Sequence, residues 1–421
     1  MAELLSCRWE SSLDRGGLSR RDRSAGSFPA YLPDPLMGRA FTFDGATAAD
    51  IADAEIAIAR LDRDATALSD TEVLSRLLLR AEAVASSRIE GLEIGARRLL
   101  RAEAASAFDG VSTDVTAVEV LANIDAMALG VRSVSRGEEI TDAVLTDVHR
   151  RLMTGTHLAS HGGRYRDQQN WIGGSSHNPR SAVYVPPPPQ YVAELMADLI
   201  AFANTDDLPA VAQAAIAHAQ FETIHPFVDG NGRAGRVLIH LVLRRRGLSE
   251  RVIAPVSLVL ATATRSYIDG LTTFRHLGRP DAAAAVEGAN AWIGRFAAAC
   301  TQVVTDAMVL EARTAALLTL WRERVAPLRS DSAAALLLPH LVGAPIVTVA
   351  TAAALVERSF PAANTAIERL VDAGVLRQST VGRRNRAFEA PEVFEAFGAL
   401  ERCLANPDGE TRSPQRPVPR G

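Results

Sequence analysis

The residues best suited to chemistry occupy twelve consecutive positions, which read His225-Pro-Phe-Val-Asp-Gly-Asn-Gly-Arg-Ala-Gly-Arg236. His225 titrates near neutral pH and can act as a general base. Arg233 and Arg236 stand three residues apart, so on a helix they share one face and can grip phosphate groups through paired N–H bonds. Asp229 is a hard oxygen ligand suited to Mg²⁺, which takes one or two carboxylates plus phosphate oxygens. The residue types together predict a site for a nucleoside triphosphate.

Two apolar stretches flank these residues and must form the elements that position them. Their spacing predicts helices at about 211–224 and 233–246, so the Gly-Asn-Gly turn opens the second helix. The first backbone N–H groups of a helix are unpaired, and the helix dipole favours negative charge there. Glycine also lets the backbone approach a ligand closely. The predicted phosphate-binding residues are therefore Gly230, Asn231, Gly232, Arg233 and Arg236.

The same stretch resembles the motif H-x-F-x-(D/E)-G-N-G-R-x-x-R of the Fic family, and each specified position is met. The resemblance implies a mostly α fold, with a Fic helical core and a small β-hairpin flap. It also implies a protein adenylyltransferase, which moves AMP from ATP to a Ser, Thr or Tyr hydroxyl of a target protein. His225 would be the catalytic base, and Asp229 would hold Mg²⁺ across the α- and β-phosphates.

A second motif ends the helix predicted at 71–89, in the run Ser86-Ser-Arg-Ile-Glu-Gly91. A glycine cap accounts for the local sequence, but the helix dipole disfavours a carboxylate such as Glu90 in the last turn. The inhibitory helix of the Fic family bears (S/T)-x-x-x-E-(G/N), which Ser86, Glu90 and Gly91 match. The resemblance implies that Glu90 pairs with Arg236 and keeps the γ-phosphate from its productive pose. The alternative is that Glu90 positions a water for hydrolytic removal of AMP.

A candidate flap precedes the central motif. Residues 162–174 are polar, glycine-rich and aromatic, and they lead to a short β-prone run at 182–185 followed by prolines. This pattern predicts an edge strand or hairpin, and a surface hairpin would account for it locally. The family resemblance places such a flap over the active site, where its edge would bind a target segment by strand addition. Val183 and Tyr184 are the predicted target-docking residues, and Tyr184 would clamp the modified residue.

Beyond the core, the sequence predicts a charged connecting helix at about 310–325 and a separate module. Two helices at 347–356 and 361–373, followed by two strands around a turn, resemble a winged-helix domain. The turn and strands carry four arginines that would reach phosphates of DNA. Glu368 and Asp372 of the candidate recognition helix weaken that case, so a nucleotide-sensing DNA-binding regulator and a protein-contact or dimerisation module are both open alternatives. The four arginines are Arg377, Arg383, Arg384 and Arg386.

Composition narrows the class of protein further. Hydrophobic residues make up 48% and aromatic residues 5% of the 421 residues, which suits helical packing of small side chains. The chain has no lysine, so it lacks the Walker-type phosphate loop, whose mechanism needs one. Cys7, Cys300 and Cys403 are widely separated and odd in number, which predicts reduced thiols. The net charge of −4 gives no reason to expect nucleic-acid binding by the whole surface.

These patterns divide the chain into predicted regions. We find no signal segment and no apolar run of membrane length, so we expect a cytoplasmic protein without a membrane partner. The expected partners are ATP, Mg²⁺ and a target protein, with self-modification, a homodimer and DNA as open alternatives. His149 and Tyr267 are expected to be ordinary scaffold residues. The regions are a flexible N-terminal arm (1–39), a helical region with the inhibitory helix (40–110), the Fic core (111–310), the connecting helix with the winged helix (311–405) and a flexible tail (406–421).

Overall fold

The computed structural model describes residues 1–10, 19, 22, 25–64, 71–95, 97–99, 101–103, 114–381 and 385–395. These residues form a mostly helical chain with two small sheets, which confirms the predicted fold class. Within the same ranges, no helix combines the length and apolar composition needed to span a membrane. The helices of the core are α1 (Gly45–Asp64), α2 (Thr71–Ile89), α3 (Val115–Ser133), α4 (Asp142–Leu152), α5 (Val192–Ala203), α6 (Ala210–Ile224), α7 (Asn231–Arg245), α8 (Ser257–Thr262), α9 (Thr264–Phe274) and α10 (Ala283–Val325).

The hairpin of α6 and α7 lies at the centre of the fold. Every residue of α6 is buried, as expected for a helix that is apolar on nearly all sides. Its alanines let neighbouring helices approach closely, and the indole N–H of Trp292 on α10 donates to the carbonyl of Ala215 at 2.8 Å. Both helices lie within two residues of their predicted bounds. This packing determines where the loop that joins α6 to α7 must lie.

Helix α2 has its predicted bounds and is attached to the central hairpin by a buried carboxylate. Glu82 Oε1 accepts a hydrogen bond from Ser257 Oγ at 2.6 Å and lies 2.9 Å from Nε2 of His240 on α7. All three side chains are buried. Glu82, Ser86 and Glu90 follow one another at four-residue intervals, so they lie along one face of the helix. The anchor at Glu82 therefore directs the end of α2 toward the start of α7.

The N-terminal residues differ from the predicted flexible arm at 1–39. In the described part of this region, β1 (Glu3–Trp9) and β2 (Gly26–Leu32) pair as an antiparallel sheet. The sheet is joined to the core, because the backbone N–H of Tyr31 donates to the carbonyl of Val185 at 2.9 Å. The expectation failed because strand pairing is non-local, and the surrounding Gly, Ser and Pro residues obscure the alternating pattern that marks a strand.

The flap also differs in part from the strand predicted at 182–185. Ile172 and Tyr184 make a single antiparallel bridge, in which Ile172 N–H donates to the Tyr184 carbonyl at 2.8 Å. The four prolines at 186–189 lack the N–H groups that a longer ladder would need. The flap is therefore a narrow hairpin closed by one bridge.

The C-terminal module follows α10, which continues to Val325, so no helix boundary falls at the predicted position near 310. Its elements are α11 (Ala333–Gly343), β3 (Ile346–Val347), α12 (Val349–Leu355), α13 (Phe360–Asp372), β4 (Arg377–Val381) and β5 (Asn385–Glu389). The strand order is β3-β5-β4, with antiparallel pairing throughout. The winged-helix assignment stays a prediction. Arg383, Arg384 and the tail at 406–421 lie outside the described residues.

Candidate active site

His225 ends α6 in an unusual backbone conformation. Its φ of 50° and ψ of 60° lie in the left-handed region, which costs on the order of 1–3 kcal/mol for a residue other than glycine. Arg166 supports this turn: its Nε donates to the His225 carbonyl at 2.8 Å, and a terminal N–H group donates to the Ile224 carbonyl at 3.3 Å. Burial lowers the pKa of His225 to about 4, so the imidazole is neutral near pH 7. A neutral imidazole has the lone pair that a general base requires.

The loop after His225 is closed by side chains from both of its sides. Asn231 Oδ1 accepts from the Phe227 N–H at 2.7 Å, and Asn231 Nδ2 donates to the Phe227 carbonyl at 2.9 Å. The Phe227 ring stacks on His149, with 3.7 Å between the ring centroids. His149 Nδ1 accepts from the Gly163 N–H at 2.9 Å, so Nε2 carries the proton and donates to the Asp229 carbonyl at 3.0 Å. His149 therefore builds the loop, a role that the sequence did not reveal because its partners are backbone groups.

The start of α7 forms an anion-binding position that a carboxylate of the same chain already fills. Gly230 precedes the helix with a φ of 73°, which glycine adopts without strain. A Cβ atom at Gly232 would overlap Glu90 Oε1, so the carboxylate rests directly on the helix N-terminus. Glu90 Oε1 also lies 2.7 Å from a terminal nitrogen of Arg236. The structure thus brings Glu90, Gly232 and Arg236 together.

Arg236 is the buried cation of this site. Its Nε donates to Ser86 Oγ at 2.8 Å, and a terminal N–H group donates to the Ser86 carbonyl at 2.8 Å. Burial has the largest single effect on the pKa of Arg236 and lowers it, but the carboxylate of Glu90 and other nearby groups outweigh burial and raise it. For Glu90, burial acts in the opposite direction and raises the pKa. The charge of Arg236 outweighs burial, so the pKa of Glu90 is lowered overall. Both groups are therefore charged at neutral pH.

Tyr267 is a buried hydrogen-bond partner of Arg236. Its hydroxyl lies 2.9 Å from Nε2 of His218 and accepts from Arg236 at 3.5 Å. Burial raises the pKa of Tyr267, so the hydroxyl stays protonated. Tyr267 packs in the core as expected, and it also belongs to the polar support of the site.

Asp229 and Arg233 form the outer side of the site. Arg233 lies 3.5 Å from the Asp229 carboxylate and 3.9 Å from Glu119 of α3, and its Nε and one terminal nitrogen have no hydrogen-bond partner among the described residues. Buried donors of this kind suit phosphate oxygens. Within the same residues, no three potential ligand side chains cluster. One carboxylate plus phosphate oxygens is a coordination that Mg²⁺ accepts, and Asp229, which is half exposed, fits it.

The two predicted docking residues of the flap face in opposite directions. Val183 is 85% exposed and available for contact. Tyr184 instead points inward: its hydroxyl donates to the Thr223 carbonyl at 2.7 Å, and the guanidinium of Arg275 lies 3.6 Å from its ring centroid. A buried hydroxyl needs a partner, and the free carbonyls at the end of α6 supply one. The expectation that Tyr184 clamps a target residue therefore disagrees with its position.

Two features define the class of protein. The fold is mostly helical, and a helical hairpin places a histidine beside an anion-binding helix start. Residues 139–243 match the family model described as "Fic/DOC family", and residues 48–132 match "Fic/DOC family N-terminal". Over these residues the chain therefore carries a Fic/DOC domain and a Fic/DOC N-terminal domain.

The chain is also similar to curated relatives and to a solved structure. "Protein adenylyltransferase fic-1" of Caenorhabditis briggsae is 34% identical over 121 residues, which cover 28% of this chain and 22% of that protein. "Protein adenylyltransferase Fic" of Culex quinquefasciatus is 32% identical over 207 residues, or 46% of this chain and 39% of that protein. The chain thus spans well under half the length of these curated relatives. A crystal structure of a Fic family protein from Desulfovibrio desulfuricans G20 matches with a TM-score of 0.51 and 20% identity, and the match covers 83% of this chain and 97% of that one. A similarity at this level of identity supports the fold and nothing more.

Proposed function

We propose that this protein transfers AMP from ATP to a Ser, Thr or Tyr hydroxyl of a target protein and inhibits itself through Glu90. The observation that carries this proposal is the pairing of a neutral His225 with an anion-binding helix start that contains Arg236. The names of the curated relatives support the same type of reaction. The proposed reaction has two substrates, ATP and a target protein.

The residues of the site supply the groups that the reaction needs. His225 accepts the proton of the target hydroxyl, the hydroxyl oxygen attacks the α-phosphorus, and the bond to pyrophosphate breaks with its electron pair. The backbone amides at 230–232 and the guanidiniums of Arg233 and Arg236 stabilise the phosphate oxygens. Asp229 would hold Mg²⁺, which when bound neutralises charge on the departing pyrophosphate. Catalysis then rests mainly on positioning and on charge stabilisation.

The same geometry accounts for inhibition. The Glu90 carboxylate lies where a terminal phosphate would otherwise meet Arg236 and the start of α7. Two anions cannot share this position, because each needs the same donors and they repel one another. Removal of the Glu90 side chain would free Arg236 for the nucleotide.

The Glu90→Gly variant tests this proposal. Labelling of the protein itself and of lysate proteins by α-³²P-ATP should rise about tenfold or more, as expected for the loss of a coupling of a few kcal/mol. The matched control is Glu93→Gly, an exposed glutamate three residues further on, which should leave labelling unchanged. Adding His225→Ala to Glu90→Gly should abolish labelling, and labelling that persists would contradict the role of His225 as base.

Hydrolytic removal of AMP is a second candidate, favoured by one observation. Glu90 is ionised, and 36% of its side-chain surface is exposed, so it can accept a proton from a water molecule. Incubation of an AMP-modified target with the unmodified protein and with Glu90→Gly separates the two activities. Release of AMP by the former alone would favour removal as the main reaction.

A further inference from the structure

A buried carboxylic acid lies beside His225, and neither sequence motif accounts for it. Glu222 is in the last turn of α6, where only 9% of its side chain is exposed. The other side chains of this turn are buried and mainly apolar or small. A buried carboxyl is costly unless it has partners, so its presence needs a reason.

The geometry relates Glu222 to His225. Its Oε2 lies 4.0 Å from His225 Nδ1, and both His225 Nδ1 and Glu222 Oε1 lack a hydrogen-bond partner among the described residues. On the facing helix α7, a Cβ atom at Gly235 would lie 2.7 Å from Glu222 Oε1. Glycine at this position therefore leaves the space that the carboxyl occupies. A small side-chain rotation, of about 1 Å at the oxygen, would bring it within hydrogen-bond distance of the imidazole.

We infer that Glu222 is a positioning residue for His225: its carboxylate accepts a hydrogen bond from Nδ1–H and leaves Nε2 free to act as the base. This inference rests on the proposed transfer reaction. In that step the O–H bond of the target breaks and the proton moves to Nε2. The O–P bond forms, the bond to pyrophosphate breaks, and its electron pair leaves with pyrophosphate. Glu222 then stabilises the imidazolium until its proton passes to solvent, as the third member of a catalytic triad does.

Charged groups on the surrounding elements set the ionisation of Glu222. Burial raises the pKa of Glu222 to about 7; Arg236 of α7 and Arg275, which follows α9, lower it, and Glu90 raises it. Tyr267 and Tyr184 also interact electrostatically with this carboxyl. Since a group with a raised pKa becomes an anion only above that value, the hydrogen-bonded pair forms as the pH rises through about 7.

The kinetic test uses Glu222→Gln in the Glu90→Gly background. Its kcat for labelling should fall about 100-fold, the effect of a lost positioned proton transfer, whereas the KM for ATP stays within twofold. In this background kcat should rise with pH as Glu222 ionises, and the rise should disappear in Glu222→Gln, which has no carboxyl to titrate. Glu222→Asp should retain that rise at a lower kcat, and Glu194→Gln, an exposed carboxylate on α5, should match the background. Unchanged kcat and an unchanged pH profile in Glu222→Gln would overturn the inference.

A spectroscopic test does not depend on activity. In ¹⁵N-histidine-labelled protein, the His225 ring should be protonated at Nδ1 above pH 7. Its ring shifts should titrate near pH 7 in the parent protein but stay constant in the Glu222→Gln variant, which has no carboxyl beside the ring. His225→Ala assigns the signals. The main-chain carbonyl of Glu222 also lies near this ring. If this carbonyl accepts the hydrogen bond from Nδ1–H, the ring shifts will not change with pH in either protein, and the inference fails. Absence of labelling in Glu90→Gly would instead refute the proposed function.

Discussion

At the scale of single residues, Asn231 shows how one side chain holds the loop between α6 and α7. It bonds both the N–H and the carbonyl of Phe227, so it closes a short loop between the end of α6 and the start of α7. The loop in turn places Asp229 and the first amides of α7. Although the motif suggested that Asn231 contributes a backbone amide, its side chain also determines the shape of the proposed phosphate site.

We predict that Asn231→Ala destabilises the protein by about 2–4 kcal/mol, because two buried backbone groups lose their partners. Urea unfolding checks this value. Asn364→Ala, which removes an exposed hydrogen bond to Glu368, is the matched control and should stay within about 0.5 kcal/mol of the parent. Equal stability of the two variants would show that other groups close the loop.

At the scale of elements, helix α2 positions Glu90 at the start of α7, the proposed phosphate site. Its anchor is Glu82, two turns upstream, which binds His240 and Ser257 in the core. A rigid helix transmits this position to its end, where Arg236 binds both Ser86 and Glu90. The proposed inhibition would therefore depend on the whole helix.

We predict that Glu82→Ala destabilises the protein by about 3–5 kcal/mol, because the buried groups of His240 and Ser257 lose their hydrogen-bond partner. It should also increase hydrogen exchange along 71–89 and raise basal labelling, although Glu90 is intact. Denaturant unfolding and exchange mass spectrometry measure these effects. Slow exchange along 71–89 in the variant would mean that contacts other than Glu82 hold the helix.

The elements also show what the sequence predicts well. The bounds of α2, α6 and α7 follow from local apolar spacing and from the glycines that end or open a helix, and these signals lie within a few residues. The β1–β2 sheet depends on pairing between distant residues and was missed. The supporting roles of His149 and Arg166 were missed for the same reason, because both side chains bond backbone groups far along the chain.

At the scale of the whole molecule, one buried carboxylate ties the C-terminal module to the segment that follows Glu90. Glu389 of β5 is only 2% exposed, and it lies 2.7 Å from Arg97 and 3.7 Å from Arg101. Arg377 of β4 pairs with the same carboxylate. One arginine of the predicted wing is thus engaged within the protein, which leaves it less available to DNA.

The charge of Glu389 makes this tie sensitive to pH. Burial has the largest effect on its pKa and raises it, but Arg377, Arg97 and Arg101 outweigh burial and lower it. A carboxyl with a lowered pKa stabilises the folded state above its ordinary range and loses that contribution as the pH falls through the lowered value. The tie is therefore complete at neutral pH.

We predict that Glu389→Gln loosens the segment at 97–103 and raises basal labelling about fivefold with Glu90 intact, because the arginines lose their anion and the end of α2 gains freedom. Exchange mass spectrometry of 71–103 and labelling by α-³²P-ATP measure the two effects. Glu392→Gln is the matched control: its carboxylate lies on the same module but pairs with Arg324 of α10, so it should change neither. If both variants raise labelling equally, general loosening of the module is responsible. If neither does, the module and the inhibitory helix act independently.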